Sequence, residues 1–394
     1  MNRCNTIIIK RDDVTRFLLN VMLLTNLFFA LFPAWKGSII WNYLPDIEKY
    51  FLFTGYGAIM VNFLLSIVLI SLNTKIYGRS ILVFCYLAMS VFTLSMFQNG
   101  FSFKIPEGIM ALCVYMVLVG ILPKFHFGTK MQNLILFVLL FWSILPILYF
   151  SLAPIHIKAL FYSIGGTFSG FALHRNFYAV YVGIAFLLLM FVRYKMLYKF
   201  ILWILLLIGL LLSECRTAIL ALFIVTFYYK YSDKRSFYFY LVIAIIVGFI
   251  CYSMLLDLLS EYTMRNDLDN NVTREELYKG FWDFFVESPI LGKGEDALYY
   301  SSSYPDGSPA HNLVLQIMAS YGVFELVFFL VFYILIFRTL DINGKTLFLY
   351  LFIISMFQPY IDVGFPTSLM VIILYLCRVF SKTNYVSISQ WRIA

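Results

Sequence analysis

The sequence predicts an all-α, polytopic integral membrane protein with about twelve transmembrane helices and one large outer loop that contains a short helix. Two observations predict this fold class. The chain of 394 residues is 62% hydrophobic and only 13% charged, whereas a soluble domain carries about 25% charged residues. Its apolar residues also form successive runs of about 20, the length at which a helix crosses the hydrocarbon core of a bilayer. We therefore expect a single membrane domain over residues 1–394.

The predicted spans follow one another along the chain, mostly with short loops between them. They cover residues 14–34, 50–72, 80–97, 106–123, 131–151, 176–194, 198–213, 216–230, 236–257, 312–337, 346–362 and 366–381. The first run follows a polar, basic stretch, and no small-residue cleavage pattern comes after it. We therefore expect this run to stay as the first membrane helix.

The distribution of basic residues predicts the topology. The larger share of the 29 Lys and Arg residues falls in loops on the same side as the N-terminus. Since basic residues are enriched in cytoplasmic loops, both termini are predicted to be cytoplasmic, and the large loop, residues 258–311, is predicted to lie outside. The same dispersed pattern accounts for the net charge of +8 without a nucleic-acid partner.

The seventh and eighth spans are predicted from a short polar interruption. Residues 200–229 are apolar except for Ser213 to Arg216. A single helix of this length would extend ~45 Å, more than one crossing needs. Two short helices with a turn at Glu214-Cys215 fit better. Glu214 and Arg216 would then lie below the outer membrane surface, surrounded by protein.

The large loop holds the greatest density of polar residues. Thr273-Arg274-Glu275-Glu276 has the spacing of a capping box, which predicts a helix from about Thr273 to Ser288-Pro289. Arg265 precedes this helix and Lys293 follows it. His311-Asn312 then opens the tenth span.

Arg216 is the strongest single candidate for chemistry. An arginine at membrane depth costs roughly 2.5 kcal/mol or more unless it is paired or hydrated, so it marks a functional site. Its planar, permanently charged guanidinium suits the binding of phosphate oxygens. The alternative is a structural ion pair with Glu214 or another acid.

The other candidates also have structural alternatives. Arg274 is placed in the first turn of the loop helix, where it could equally be a solvated surface arginine. Arg175 lies at the membrane interface and could simply snorkel, and Arg265 has less context. The imidazole of His311 could accept a proton from an attacking hydroxyl. Alternatively, it braces the next helix.

No pattern in the sequence predicts a metal, a cofactor or a disulfide framework. The six cysteines lie in or beside apolar runs, apart from Cys4, and form no CxxC or Cys/His cluster. Asp267-Leu268-Asp269 reads DxD, but a match of three residues in so acidic a loop carries little information. We expect metal-independent chemistry.

Three stretches together resemble the O-antigen polymerase and ligase superfamily. They are the Gly-rich approach to His174-Arg175-Asn176, the helix start Ser213-x-x-Arg216-Thr217-Ala218, and Ser288-Pro289-Ile290-Leu291-Gly292-Lys293-Gly294 followed by His311-Asn312. A glycine in the next helix, here Gly322, continues the pattern. The resemblance covers about residues 165–337. It departs from the family at Arg175, where proline is usual, and at Glu214.

The resemblance implies a membrane glycosyltransferase that works on the periplasmic face of the bacterial inner membrane. Its donor would be an oligosaccharide carried by undecaprenyl diphosphate. Arg216 and Arg274 would offset the charge of the leaving diphosphate, and His311 would act as general base or orient the acceptor. The implied substrate-binding residues are Arg175, Asn176, Glu214, Arg265, Lys293 and Asn312.

The resemblance favours a polymerase of repeat units over a ligase that transfers the finished glycan to lipid A-core. The His-Asn form at the tenth span and the compact outer loop look more like polymerases. Membrane lipids and, for a polymerase, a chain-length regulator protein are the expected partners. The alternative from another class is a transporter of lipid-linked sugars. It is disfavoured because the polar residues cluster at the outer face and no inverted repeat is visible.

Overall fold

The computed structural model describes ten segments of the chain, and they are helical almost throughout. These segments are residues 11–31, 47–73, 79–98, 104–125, 127–152, 168–172, 175–232, 267–294, 310–357 and 368–381. Twelve α-helices lie in this part of the chain, which confirms the all-α prediction. In chain order they are α1 (Arg11–Leu31), α2 (Ile47–Leu72), α3 (Arg79–Gln98), α4 (Lys104–Tyr115), α5 (Thr129–Leu152), α6 (Arg175–Phe191), α7 (Met196–Leu212), α8 (Arg216–Tyr231), α9 (Asp267–Glu287), α10 (Leu313–Thr339), α11 (Ile342–Ser355) and α12 (Ser368–Val379).

Eleven of the twelve predicted spans coincide with helices. The ninth, residues 236–257, lies outside the described residues. Within the described part of the chain, α5 and α10 are long and apolar enough to cross a membrane by length and composition. Shorter apolar helical stretches occupy most of the other predicted spans. The helices are thus confirmed, while the number of crossings stays a prediction.

The core is built by interhelical packing of large apolar and aromatic side chains. Helix α10 packs most extensively against α3, where the Phe92 and Tyr321 rings lie 5.2 Å apart between centroids. Tyr115 of α4 stands edge-on to Phe332 of α10, with centroids 5.2 Å apart. Aromatic pairs in these geometries add to the stability that burial supplies. They fix α10, on which half of the candidate site is built.

Buried amides join α1 to α2. The side-chain amides of Asn26 and Asn62 donate to each other, over 2.7 and 3.0 Å, and both side chains are fully buried. Asn73, directly after α2, donates to the hydroxyl of Thr15 in α1 over 3.3 Å. Between apolar helices such mutual hydrogen bonds satisfy groups that lipid could not. They fix the register of these two helices.

The predicted break between the seventh and eighth spans is confirmed. Helix α7 ends at Leu212 and α8 begins at Arg216, with Ser213 to Cys215 between them. At 1.5 Å per residue, the two helices measure only ~25 Å each, shorter than a full crossing of the hydrocarbon core. Helix α7 packs against α5 and α6, whereas α8 packs mainly against α11.

The loop helix is present, but its predicted start is wrong. Helix α9 begins at Asp267, six residues before Thr273, and ends at Glu287, as predicted from Ser288-Pro289. Acidic residues are favoured in the first turn of a helix because they complement its dipole, and Asp267 and Asp269 occupy that turn. The Thr-x-x-Glu spacing at Thr273 therefore lies inside the helix rather than at its end.

Candidate functional site

The start of α6 is held in place by Tyr178. Its hydroxyl donates to the carbonyl oxygen of Ser143 in α5 over 2.6 Å, and its ring is fully buried. Gly170, at φ +53°, brings the preceding chain directly against this ring. On the α7 side, Gly209 faces the Tyr178 hydroxyl, and a Cβ there would lie 2.8 Å from it. Arg175 and Asn176, one turn earlier, therefore project from a fixed helix end.

The α7–α8 turn has an unusual backbone. Glu214 has φ +52°, a left-handed conformation that is rare for a residue with a side chain. The Ser213 hydroxyl donates to the carbonyl of Leu210 over 2.7 Å, which ends α7. Cys215 is buried beside Thr217, with Sγ and Oγ1 3.4 Å apart, and burial raises the pKa of its thiol. Ser213 and Cys215 are thus packed inside the turn, and the Glu214 side chain between them stays partly exposed.

An ion pair joins these two elements. A guanidinium nitrogen of Arg175 lies 3.7 Å from a carboxylate oxygen of Glu214, and their side chains are 13% and 36% exposed. Arg216, the first residue of α8, is half-buried just beyond this turn. The structure therefore brings the first two sequence motifs together. We refer to Arg175, Asn176, Glu214 and Arg216 as the arginine cluster.

The third motif begins α10. Asn312 caps this helix, because its side-chain oxygen accepts from the backbone N–H of Leu315 over 3.0 Å. The buried Gln316 side chain accepts from the N–H of Ala310 over 2.9 Å and donates to the Ser320 hydroxyl over 3.1 Å. His311, between these anchored positions, is forced to φ +50° and stays partly exposed. The hydrogen bonds of the neighbouring residues thus hold His311 at the start of the helix.

The loop helix α9 lies on the first half of α10. Leu277 and Phe281 pack with Ala310 and Ala319 in a small apolar cluster. Lys293, after α9, pairs with Glu287 at 2.6 Å through partly exposed side chains. Lys293 is therefore paired within the loop rather than with the arginine cluster.

Two predicted candidates have less structural context. Arg265 lies outside the described residues, as does His174. Arg274 lies in α9, one turn before Leu277, and its side chain is outside the described part. The sequence analysis missed Tyr178 and Gln316, the residues that fix the two helix starts. Their only sequence signal was position, since each lies three to five residues after a candidate residue.

The arrangement suits binding of a large anion at a membrane-embedded site. Guanidinium groups at helix ends can bind diphosphate oxygens, and an imidazole such as that of His311 can exchange a proton at neutral pH. The structure joins Arg175 to Glu214 directly, whereas the approach of His311 to the arginine cluster stays a prediction. Among the described residues, no group of three His, Cys, Asp or Glu side chains could hold a metal ion. Charge neutralisation by arginine is one chemistry that the side chains of the arginine cluster offer.

Comparison with known proteins finds a family match in the second half of the chain. Residues 200–330 match the family model described as O-antigen ligase, and this range contains Arg216, Arg274, Lys293 and His311. No curated protein matches the chain significantly. Members of the matched family are glycosyltransferase-like membrane enzymes of O-antigen synthesis. The motif order, the helical fold and this match agree: residues 200–330 are similar to the O-antigen ligase family, within the O-antigen polymerase and ligase superfamily.

Proposed function

We propose that this protein is an O-antigen polymerase. It would join oligosaccharide repeat units carried on undecaprenyl diphosphate into polysaccharide at the periplasmic face of the inner membrane. The observation that carries a catalytic role for this site is that Glu214 and His311 are the two non-glycine residues with positive φ among those described. Left-handed conformations of residues with side chains cost about 1–3 kcal/mol and cluster at functional sites. Both lie within the stretch that matches the family. The polymerase is preferred to the ligase on the His311-Asn312 form and the compact outer loop.

The proposed reaction is a displacement at the first sugar of the donor. A hydroxyl of the acceptor repeat unit attacks the anomeric carbon, and a new carbon–oxygen bond forms there. The bond from that carbon to the diphosphate oxygen breaks, and undecaprenyl diphosphate leaves with the electron pair. The hydroxyl proton passes to the imidazole of His311 and from there to solvent or to the leaving diphosphate.

The arginines would stabilise the charge that develops on the leaving group. Arg216 begins α8 at a half-buried position. There a guanidinium stabilises nearby negative charge more strongly than it would in water. Arg274 from α9 would bind the diphosphate from the loop side. Arg175, held by Glu214 at 3.7 Å, would complete the set.

The remaining candidates would bind the sugars and steer the donor. The amides of Asn176 and Asn312 can hydrogen-bond sugar hydroxyls, although the Asn312 oxygen already caps α10. Arg265 and Lys293 would add positive charge along the loop. The polyprenyl chain would lie in apolar grooves between helices, whose outer faces carry exposed side chains such as Phe137, Phe141 and Phe223. A chain-length regulator protein is the partner we expect.

The second candidate function is an O-antigen ligase. The matched family model carries that description, which is the observation that favours it. The donor and leaving group are the same in both reactions. Only the acceptor differs, since a ligase transfers the finished glycan to lipid A-core.

A lipopolysaccharide gel of the deletion strain of the native host tests these proposals. Core carrying a single repeat unit indicates a polymerase, because ligation still proceeds on unpolymerised units. Bare core, with polymerised glycan accumulating on undecaprenyl diphosphate, indicates a ligase. Purified protein that moves a lipid-linked donor across vesicles without forming glycosidic bonds would instead establish a transporter, and an unchanged ladder would exclude both enzymes for this polysaccharide.

A further inference from the structure

Helix α10 is broken at Gly322, and the loop fills the break. Gly322 has φ +81° and ψ −178°, far from helical values. In a continuous helix the N–H of Val323 would donate to the carbonyl of Ala319. Here that N–H donates to the carbonyl of Pro289 over 2.9 Å, and the Ala319 carbonyl accepts from the N–H of Lys293 over 2.9 Å. The segment after α9 thus takes both partners of one missing helix bond.

Two glycines make this insertion possible. Gly292 has φ +69° and lies against the backbone of Ser320 and Tyr321, where an added Cβ would overlap them. A Cβ on Gly322 would likewise overlap the carbonyl of Ile290. Backbone meets backbone on both sides, so no side chain can move away to make room. We call residues 289–293 and 319–323 together the glycine clasp.

The clasp determines where α9 lies along α10. Helix α9 ends at Glu287, two residues before Pro289, and carries Arg274 more than three turns earlier. His311 and Asn312 lie about 15 Å from Gly322 along α10. The apolar contact between the two helices is small, with four fully buried members. So small an apolar contact defines the register of α9 along α10 only loosely. The directional backbone hydrogen bonds of the clasp therefore fix that register.

We propose that the glycine clasp positions the loop helix for glycan transfer, by holding α9 at a fixed register against the His311 end of α10. This inference rests on the proposed function. A displacement of about 1 Å between reacting groups can reduce a rate about 100-fold. Opening the clasp should therefore lower kcat more than it raises the KM for the lipid-linked donor, because Arg274 of α9 is proposed to act chiefly on the charge that develops as the diphosphate leaves.

The test uses Gly292→Ala, Gly322→Ala and the double variant in the full-length protein. Alanine at 322 disfavours the left-handed break and favours a continuous helix, which expels the 289–293 segment. Gly128→Ala is the matched control, because a Cβ there meets nothing within 4 Å. The probe is the purified undecaprenyl-diphosphate-linked repeat unit of the native host. We expect each single variant to lose kcat about 100-fold, with the control at the wild-type rate.

Two further readouts make the test decisive. Trypsin should cleave after Lys293 several-fold faster in each single variant, since that backbone N–H loses its partner. The double variant should lose no more kcat than the worse single, because both changes open the same contact. Val323→Pro serves as a second variant: proline is accepted at the first position of a helix, so the break persists, while the proline ring replaces the N–H and displaces the Pro289 carbonyl. It should fold normally and lose kcat about 10-fold.

Three outcomes would overturn the inference. The first is fast cleavage at Lys293 with an unchanged kcat, and the second is multiplying losses in the double variant. The third is a rise in KM that accounts for the whole effect. An inactive wild-type protein would overturn the proposed function and this inference with it, whereas an active wild type with active, open-clasp variants would remove this inference alone.

Discussion

Replacing Glu214 with glycine should leave the protein as stable as the wild type and still reduce transfer. Glu214 has φ +52°, where a residue with a side chain is about 1 kcal/mol less favourable than glycine. Its ion pair with Arg175 is 3.7 Å long and 36% exposed on the Glu214 side, which limits its contribution to about 1 kcal/mol. For Glu214→Gly, the stability gained by relieving the left-handed backbone therefore nearly cancels the stability lost with the ion pair.

Glu214→Ala tests the same position without relieving the left-handed backbone. It loses the ion pair and keeps the unfavourable left-handed conformation, so it should be destabilised by about 1 kcal/mol. Both variants remove the carboxylate that orients Arg175. Both should therefore lose a similar amount of activity, about 5-fold, which corresponds to an ion pair of about 1 kcal/mol. Glu214→Gln keeps an acceptor for Arg175 and should retain more activity than either.

The assay combines thermal unfolding of the detergent-purified variants with transfer from the lipid-linked donor. Wild-type activity in Glu214→Gly would show that the Arg175–Glu214 pair lies outside the working site. Equal destabilisation of the glycine and alanine variants would show that the backbone at 214 is not held left-handed. Either result would refute the reasoning.

Three further predictions follow from the candidate site. Arg216→Ala and Arg274→Ala should each lower transfer by about 100-fold or more with normal membrane insertion, and full activity in either would remove its diphosphate-binding role. His311→Ala and His311→Gly should lose activity equally, but the glycine variant should unfold at the higher temperature, because position 311 has φ +50°; a mild loss of activity would make His311 a bracing residue. EDTA should leave the transfer rate unchanged, and a loss that Mg²⁺ restores would contradict the metal-independent mechanism.

Hydrophobicity alone was enough to predict most of the helices. Runs of apolar residues became α5 and α10, and the polar interruption at Glu214-Cys215 became a break between α7 and α8. Burying a backbone in an apolar surrounding demands that its hydrogen bonds be satisfied locally, and a helix does this within one segment. The fold class therefore depends on local composition, which a sequence displays directly.

The start of α9 was predicted wrongly because capping signals are weak when composition competes with them. A Thr-x-x-Glu spacing contributes about 1 kcal/mol at a helix end, and the same spacing occurs by chance inside helices. The acidic residues Asp267 and Asp269 favour a helix start before Thr273, toward the N-terminus. The end at Glu287 was predicted correctly because Pro289 excludes continuation, which is a far stronger constraint.

The tertiary contacts of the site could not be predicted from local patterns. The pairing of Arg175 with Glu214 depends on how α5, α6 and α7 pack around Tyr178. Gly322 was recognised as part of a family pattern, but its physical reason is the approach of Ile290 from a loop about 30 residues earlier. Both contacts join segments that are far apart in the chain, and a single sequence does not reveal which distant segments pack together.

The two parts of the candidate site are therefore held by different forces, and this determines how each responds to mutation. The arginine cluster depends on side chains around Tyr178, so single substitutions there can remove one group and leave the others in place. The position of α9 against α10, by contrast, depends on backbone hydrogen bonds and on glycines that tolerate no Cβ. Changes in how the donor is bound should consequently arise in the side chains of the cluster, whereas the clasp should accept almost no substitution without loss of the reaction.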